Sequence, residues 1–395
     1  MESLLTLYKI GIGPSSSHTM GPHKAALYMV EHYKDASSFK VTLYGSLALT
    51  GKGHLTDVIL KKTLGENTPI EFDIHTKVSH PNTLKIEAIY EDKIYTHKFI
   101  SIGGGEIVLK GEKIKHKDVY PFKNFCEIKE YCLNIHLDLS DFALLYEPNL
   151  LNDLKPVYEV MKKAIKNGLE KDGELPGSIH TKRKAKTLYE VKIDNEDETS
   201  LRTRLVSSYA YAVSEENASG GMIVTAPTCG SSGVLPACLY YLENKYHIKE
   251  EKIIRALIVA GIVGNVIRTN ASISGAYAGC QAEIGSACSM ASAASCYLLN
   301  GSIEDIETSA EMAMEHHLGL TCDPVNGLVQ IPCIERNAAA ALRALDASII
   351  APYLSLSRKI SFDKIVKTML DTGIDLKKEY KETSSGGLAT HYFDK

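Results

Sequence analysis

The chain has 395 residues, 44% hydrophobic and 23% charged, with a formal net charge of -4. That length exceeds one ordinary core and predicts two domains, and the faint acidity supplies no electrostatic footprint for nucleic acid. Residues 1–9 lack a basic stretch followed by an apolar core, and Arg255 interrupts the longest apolar run, 253–267; a cytoplasmic protein that uses small molecules and no membrane is expected.

In chain order, the stretch GIGPSSSHTMGPHKAA at 11–26 comes first, a loop crowded with hydroxyls, with the imidazole of His18 among them and two Gly-Pro pairs around them. Residues 25–32 then read as a helix. From Phe39 the period changes to two, with Phe39, Val41 and Leu43 alternating against Lys40, Thr42 and Tyr44, the mark of a half-buried strand. The same alternation returns at Ile70, Phe72 and Ile74, and again at Leu84, Ile86, Ala88 and Tyr90. A turn at Glu91-Asp92 and a return strand over 94–100 follow. Past about residue 140 the strand signal ends, and Val157, Met161, Ile165 and Leu169 trace an amphipathic helix. The basic cluster Lys182, Arg183, Lys184 and Lys186 reads as a solvated loop, and the Ala-, Ser- and Gly-rich stretch 256–299 as closely packed buried helices. The fold class expected is α+β, with a mixed α/β domain over 1–138 and an all-helical domain over 139–395.

Nine cysteines without a secretory signal point away from a disulfide framework. Seven of them, Cys229, Cys238, Cys280, Cys288, Cys296, Cys322 and Cys333, crowd into the second half. Cys322 and Cys333 stand eleven residues apart beside prolines, and Cys280 stands forty-two before Cys322. The paired C-x-x-C elements of structural zinc sites and the tight ferredoxin run are both missing. Scattered loop thiolates suit a cluster with one open iron acting as a Lewis acid, and buried packing thiols suit the same spacing. The loop TAPTCGSSGVLPA at 225–237 leads into a helix. Its Thr228, Gly230 and Ser231 suit a carboxylate at the helix N-terminus, or simply a capped helix start.

Taken in order, GIGPSSSHTMGPHKAA, GSLALTGKGHLTD at 45–57, SIGGGEI at 101–107, the three cysteine-bearing stretches and ETSSGGLA at 382–389 resemble the iron-sulfur-dependent L-serine dehydratases. The resemblance spans nearly the whole chain and suggests the single-chain form, with its two domains fused. It implies that Cys280, Cys322 and Cys333 ligate a [4Fe-4S] cluster, that His54 is the base, and that His18 is a second base or an orienting donor. It further implies that Ser15, Ser16, Ser17 and Thr19 form a hydroxyl- and amide-lined loop packing across the cluster site from the other domain. Gly104 and Asn270 are further candidates for substrate contact, and homodimerisation is expected. Cys288 is expected to pack, and Arg336 and Glu335 to tune the cluster or form an ordinary ion pair. Members of the family commonly end in a cysteine that reaches the cluster, whereas this chain ends HYFDK.

The reaction expected is β-elimination of water from L-serine to pyruvate and ammonia. The same cofactor acting on threonine, cysteine or another small β-substituted amino acid, or serving a non-catalytic sensor, is the alternative. A pyridoxal-phosphate enzyme is disfavoured because the glycines of SIGGGEI precede a strand-like run, which leaves a phosphate without a helix dipole.

Overall fold

The computed structural model describes residues 1–112 and 117–392, and residues 393–395 of the HYFDK ending lie outside the described residues. Two compact units are present, Gly11–His116 and Met1–Ile10 together with Lys117–Lys395.

In the first unit, α1 (Gly21–His32) starts with Pro22 in its first turn and buries Ala25, Ala26 and Met29, proline being tolerated where its missing N–H has no helical partner. Five strands follow, β1 (Ser38–Tyr44), β2 (Ile70–Asp73), β3 (Thr83–Ile89), β4 (Ile94–Gly103) and β5 (Glu106–Leu109). They form one mixed sheet in the order β2-β1-β3-β4-β5. Strand β1 runs parallel to β2 and antiparallel to β3, with Val41 opposite Ile70 and Ile86. The expected alternation is realised: Val41, Leu43, Leu84, Ile86, Ala88 and Phe99 form the core against α1. Two short helices that periodicity did not indicate, α2 (Gly45–Thr50) and α3 (Thr56–Leu64), connect β1 to β2. Gly104 and Gly105, at φ +56° and +71°, make the tight turn between β4 and β5. Positive φ at both central residues is what such a hairpin turn needs, so the sheet alone accounts for glycine there.

The second unit is helical. It contains α4 (Phe125–Ile135), α5 (Lys155–Glu170), α6 (Glu198–Ala218), α7 (Val234–Tyr246), α8 (Glu250–Asn270), α9 (Ser286–Leu298), α10 (Ile303–Glu315), α11 (Cys333–Leu354) and α12 (Phe362–Asp375), with shorter turns between them. Val157, Met161 and Ile165 of α5 are buried as the stripe predicts. Gly168 lies so close to α6 that a Cβ would sit 2.3 Å from Ala212 O. Both α8 and α9 lie in the core, where serines of α9 donate to backbone carbonyls, Ser289 Oγ to Ala310 O on α10 and Ser295 Oγ to Ala291 O in its own helix. Helix α8 is apolar and long enough to cross a membrane, with 78% of its most apolar window buried.

The observed division differs from the expected break after residue 138. The Met1 ammonium donates to Tyr120 O, and Phe125 N at the start of α4 donates to Asp363 in the first turn of α12. These bonds tie both the first residues and 117–138 to the helical unit, although no strand or helix period marks the boundary. Arg183 is not the solvated residue its basic neighbourhood suggested: its side chain is 7% exposed, pairs with Glu216 at 3.3 Å and donates to Ser219 Oγ.

Candidate active site

In the sheet-bearing unit, residues Ser16–Met20 form a π-helical turn that runs directly into α1. Ser15 caps it, its Oγ accepting from His18 N at 3.1 Å, while Thr19 Oγ1 accepts from Ser15 N at 3.1 Å. Thr19 Oγ1 also donates to His54 O at 2.7 Å, and Thr56 Oγ1 donates to His18 O at 2.5 Å. Ser101 Oγ on β4 donates to Ser17 O at 2.8 Å. The hydroxyls thus lace the 15–19 turn to the 54–56 segment and the sheet. Those of Ser15 and Thr19 build the loop before they serve anything else.

The lacing stacks two imidazoles, His18 and His54, with ring centroids 4.6 Å apart. His54 Nδ1 lies 3.1 Å from Thr50 O. A carbonyl only accepts, so the proton sits on Nδ1 and Nε2 carries the lone pair. That Nε2 is buried and has no hydrogen-bond partner, and the same is true of His18 Nδ1. His18 Nε2 bonds Ser46 Oγ at 2.9 Å. Burial pushes the His54 pKa down to about 4, opposed by the Thr50 carbonyl. His18 falls to about 3, through burial first and the His54 ring second. Both rings are therefore neutral near pH 7, and His54 offers a fixed, unshared lone pair, which is the state a general base requires.

In the helical unit, Cys280 precedes a π-helical turn (Gln281–Gly285) that leads into α9. Cys322 lies in an irregular loop and Cys333 opens α11. The sulfurs of Cys280 and Cys322 and a Glu283 oxygen lie within 4.8 Å of one another. Cys280 is held below the ordinary thiol range by the hydrogen bond from Cys322 and by the Arg336 guanidinium, whereas burial and the Cys280 charge push Cys333 up. Arg336 is fixed behind the sulfurs by Thr321 O at 2.6 Å and Asp323 Oδ1 at 3.0 Å. Glu335 instead pairs with Lys184 at 3.5 Å on a 58% exposed side chain. Cys288 and Cys238 donate to Ala340 O and Ala341 O, so they are packing thiols.

The loop at 225–237 meets this group. Thr228 bonds the Glu283 carboxylate and stands 3.1 Å from Ser231 Oγ. Asn337, one turn after Cys333 on α11, accepts from Gly233 N at 2.9 Å and donates to Gly230 O at 2.7 Å and Cys333 O at 2.9 Å. One buried amide therefore fixes both the loop and the start of the cysteine helix. ETSSGGLA also reaches the thiols. Glu382 N donates to Cys322 O, Ser384 Oγ to Pro324 O, and Leu388 N to Asp323 Oδ2. Asn270 is not in this group: its Nδ2 donates to Lys123 O and Val266 O, which makes it a brace at the end of α8.

Sequence reading missed Glu283, Glu382, Asn337 and Ser46. Two of these had a periodic signal, Glu283 three residues after Cys280 and Asn337 four after Cys333. Glu382 and Ser46 had none beyond the motifs that contain them.

Residues 61–389 match the serine dehydratase alpha chain family, and residues 3–79 match the serine dehydratase beta chain family. The chain is similar to L-serine dehydratase 2 of Escherichia coli, at 38% identity over 98% of each chain. It is 37% identical to the L-serine dehydratase of Haemophilus influenzae, over 98% of this chain and 99% of the relative. With the enzyme of that name from Streptomyces coelicolor it shares 36% identity over 99% of each. On these matches the chain belongs to the serine dehydratase family, with the alpha-chain and beta-chain regions fused in one polypeptide.

Proposed function

We propose that this enzyme is an L-serine ammonia-lyase that converts L-serine to pyruvate and ammonia with an iron-sulfur cluster held by Cys280, Cys322 and Cys333. The observation that carries the reading is the similarity to L-serine dehydratases over at least 98% of this chain. The side chains fit the cofactor: none of the nine cysteines is tied up in a disulfide, and two of the three candidate thiols converge within 4.8 Å beside a fixed guanidinium. Soft thiolates are the ligands an iron-sulfur cluster requires. When bound, the cluster supplies Lewis acidity to the departing β-hydroxyl.

His54 Nε2 removes the α-proton of serine. Its Nδ1–H stays on the Thr50 carbonyl, which holds the ring in one tautomer and stabilises the imidazolium that forms. The Cα–H electron pair becomes the Cα–Cβ double bond as the Cβ–O bond breaks, and the proton taken up by His54 is returned to the leaving hydroxyl, so that water departs and the base is regenerated. The resulting aminoacrylate tautomerises to an imine, and hydrolysis releases pyruvate and ammonia. Ser46 fixes the His18 ring beside His54, and the neutrality that burial imposes on both rings keeps the base ready at neutral pH. The amide-lined turn at Gly230 and Ser231 is assigned to the substrate carboxylate. The test is His54→Ala, which should abolish pyruvate formation while leaving the visible spectrum of the reconstituted cluster unchanged. Turnover that survives the substitution would remove His54 from the role of base.

A further inference from the structure

We infer that Glu283 is itself a metal ligand, the oxygen donor that accompanies the sulfurs of Cys280 and Cys322. The inference rests on the reading that these thiols hold metal, and it names a donor that reading did not contain. Three observations carry it. The Glu283 oxygen and the two sulfurs form a mutually close set, all within 4.8 Å. The carboxylate is seated between two glycine backbones. A Cβ on Gly230 would lie 3.2 Å from Glu283 Oε2, and one on Gly275 would lie 3.0 Å from the same oxygen and 3.2 Å from Cys322 Sγ. A side chain at either position would make the carboxylate give by a few tenths of an ångström, so the two glycines form a close cradle around it.

The third observation is orientation. The Thr228 hydroxyl and the Gly275 N–H both donate to the Glu283 carboxylate. Partners of this kind fix a ligating carboxylate in direction without using its remaining lone pairs. Thr228 is thereby a positioning residue for a metal ligand, and its hydroxyl is committed before any substrate arrives.

Two thiolates and a carboxylate suit a borderline ion such as Fe²⁺, Co²⁺ or Zn²⁺ and leave a coordination position open. A carboxylate oxygen is a harder donor than a thiolate, and an oxygen ligand of the substrate displaces it more readily than it would sulfur.

The experiment is an anaerobic titration of the full-length, metal-free protein with Co²⁺, read by its visible bands and its near-ultraviolet thiolate charge-transfer absorption. Glu283→Gln should bind Co²⁺ at least about tenfold more weakly, the scale on which even the partners of metal ligands act, and should keep the thiolate absorption. Cys322→Ala should lose part of that absorption. A Glu283→Gln protein that binds Co²⁺ as tightly as the parent with unchanged visible bands overturns the inference. Circular dichroism checks folding, and should Glu283→Gln fail it, Gly230→Ala replaces it: weakened Co²⁺ binding supports the inference, and unchanged binding overturns it. The parent protein is separately reconstituted with iron and sulfide. Failure to develop a cluster spectrum alongside tight, Glu283-dependent Co²⁺ binding would remove the cluster and leave the ligand assignment standing.

Discussion

Asn337 is the side chain whose removal tests the construction of the thiol site most sharply. It is 1% exposed and makes three hydrogen bonds, to Gly233 N, Gly230 O and Cys333 O. Asn337→Ala leaves the Gly233 N–H and the Gly230 carbonyl without that partner in a buried loop. An orphaned buried polar group costs about 1–3 kcal/mol, so the two together cost roughly 2–6 kcal/mol. In a unit of this size, at about 2 °C per kcal/mol, a loss of that order lowers the thermal midpoint by about 4–12 °C. Asn337→Asp is the informative companion. It keeps the acceptor for Gly233 N–H but turns two donors into a charge facing carbonyl oxygens, so it should be no better than alanine. Differential scanning calorimetry of the metal-free protein measures the midpoint, and hydrogen exchange at Gly233 reports the local opening. A midpoint within about 1 °C of the parent for both variants, with Gly233 exchange unchanged, would refute the reasoning.

Three other perturbations have expected outcomes. His18 and His54 titrate near 6.5 when unfolded but at about 3 and about 4 when folded. Below pH 6.5 the unfolded chain therefore takes up protons that the folded rings refuse, and stability falls as pH drops from 6.5 toward 4. The His54 shift alone corresponds to about 3 kcal/mol, and His54→Gln should flatten that part of a denaturant-midpoint profile; an unchanged slope would contradict it. Glu307 is 1% exposed on α10 and pairs with Lys129 at 2.7 Å and with Arg358. Glu307→Ala strands both cations and should cost about 3 kcal/mol, read as a lower midpoint in urea. Gly387 sits at φ +62°, and a Cβ there would meet Asp323 within 2.3 Å. Gly387→Ala should release the 382–389 segment from the Cys322 loop, seen as faster exchange at Leu388 N.

The sheet was legible because its strands alternate: Val41, Leu43, Leu84 and Ile86 are at once the periodic residues and the core. The buried pair α8 and α9 was legible from small residues and missing charge. The division near residue 117 was not, because it rests on single bonds such as Met1 to Tyr120 and Phe125 to Asp363, which leave no periodic trace. Within the site, Cys280 and Cys322 could be named through the ordered motifs, and the structure brings these two thiols close together. Glu283, Asn337 and Ser46 could not. Each acts through one contact with residues distant in sequence or through a backbone group, and the residue types themselves are ordinary in helices and turns. Gly104 and Asn270, expected at the substrate, each have a local structural role as well, at the hairpin turn and at the end of α8.

The account stands most directly on one preparation: the protein purified without oxygen, reconstituted with iron and sulfide, and assayed in the same cuvette for absorption near about 400 nm and for pyruvate from L-serine. A cluster band that bleaches in air in step with the loss of pyruvate formation is the predicted result. Pyruvate formed at full rate by protein that carries no cluster would contradict it.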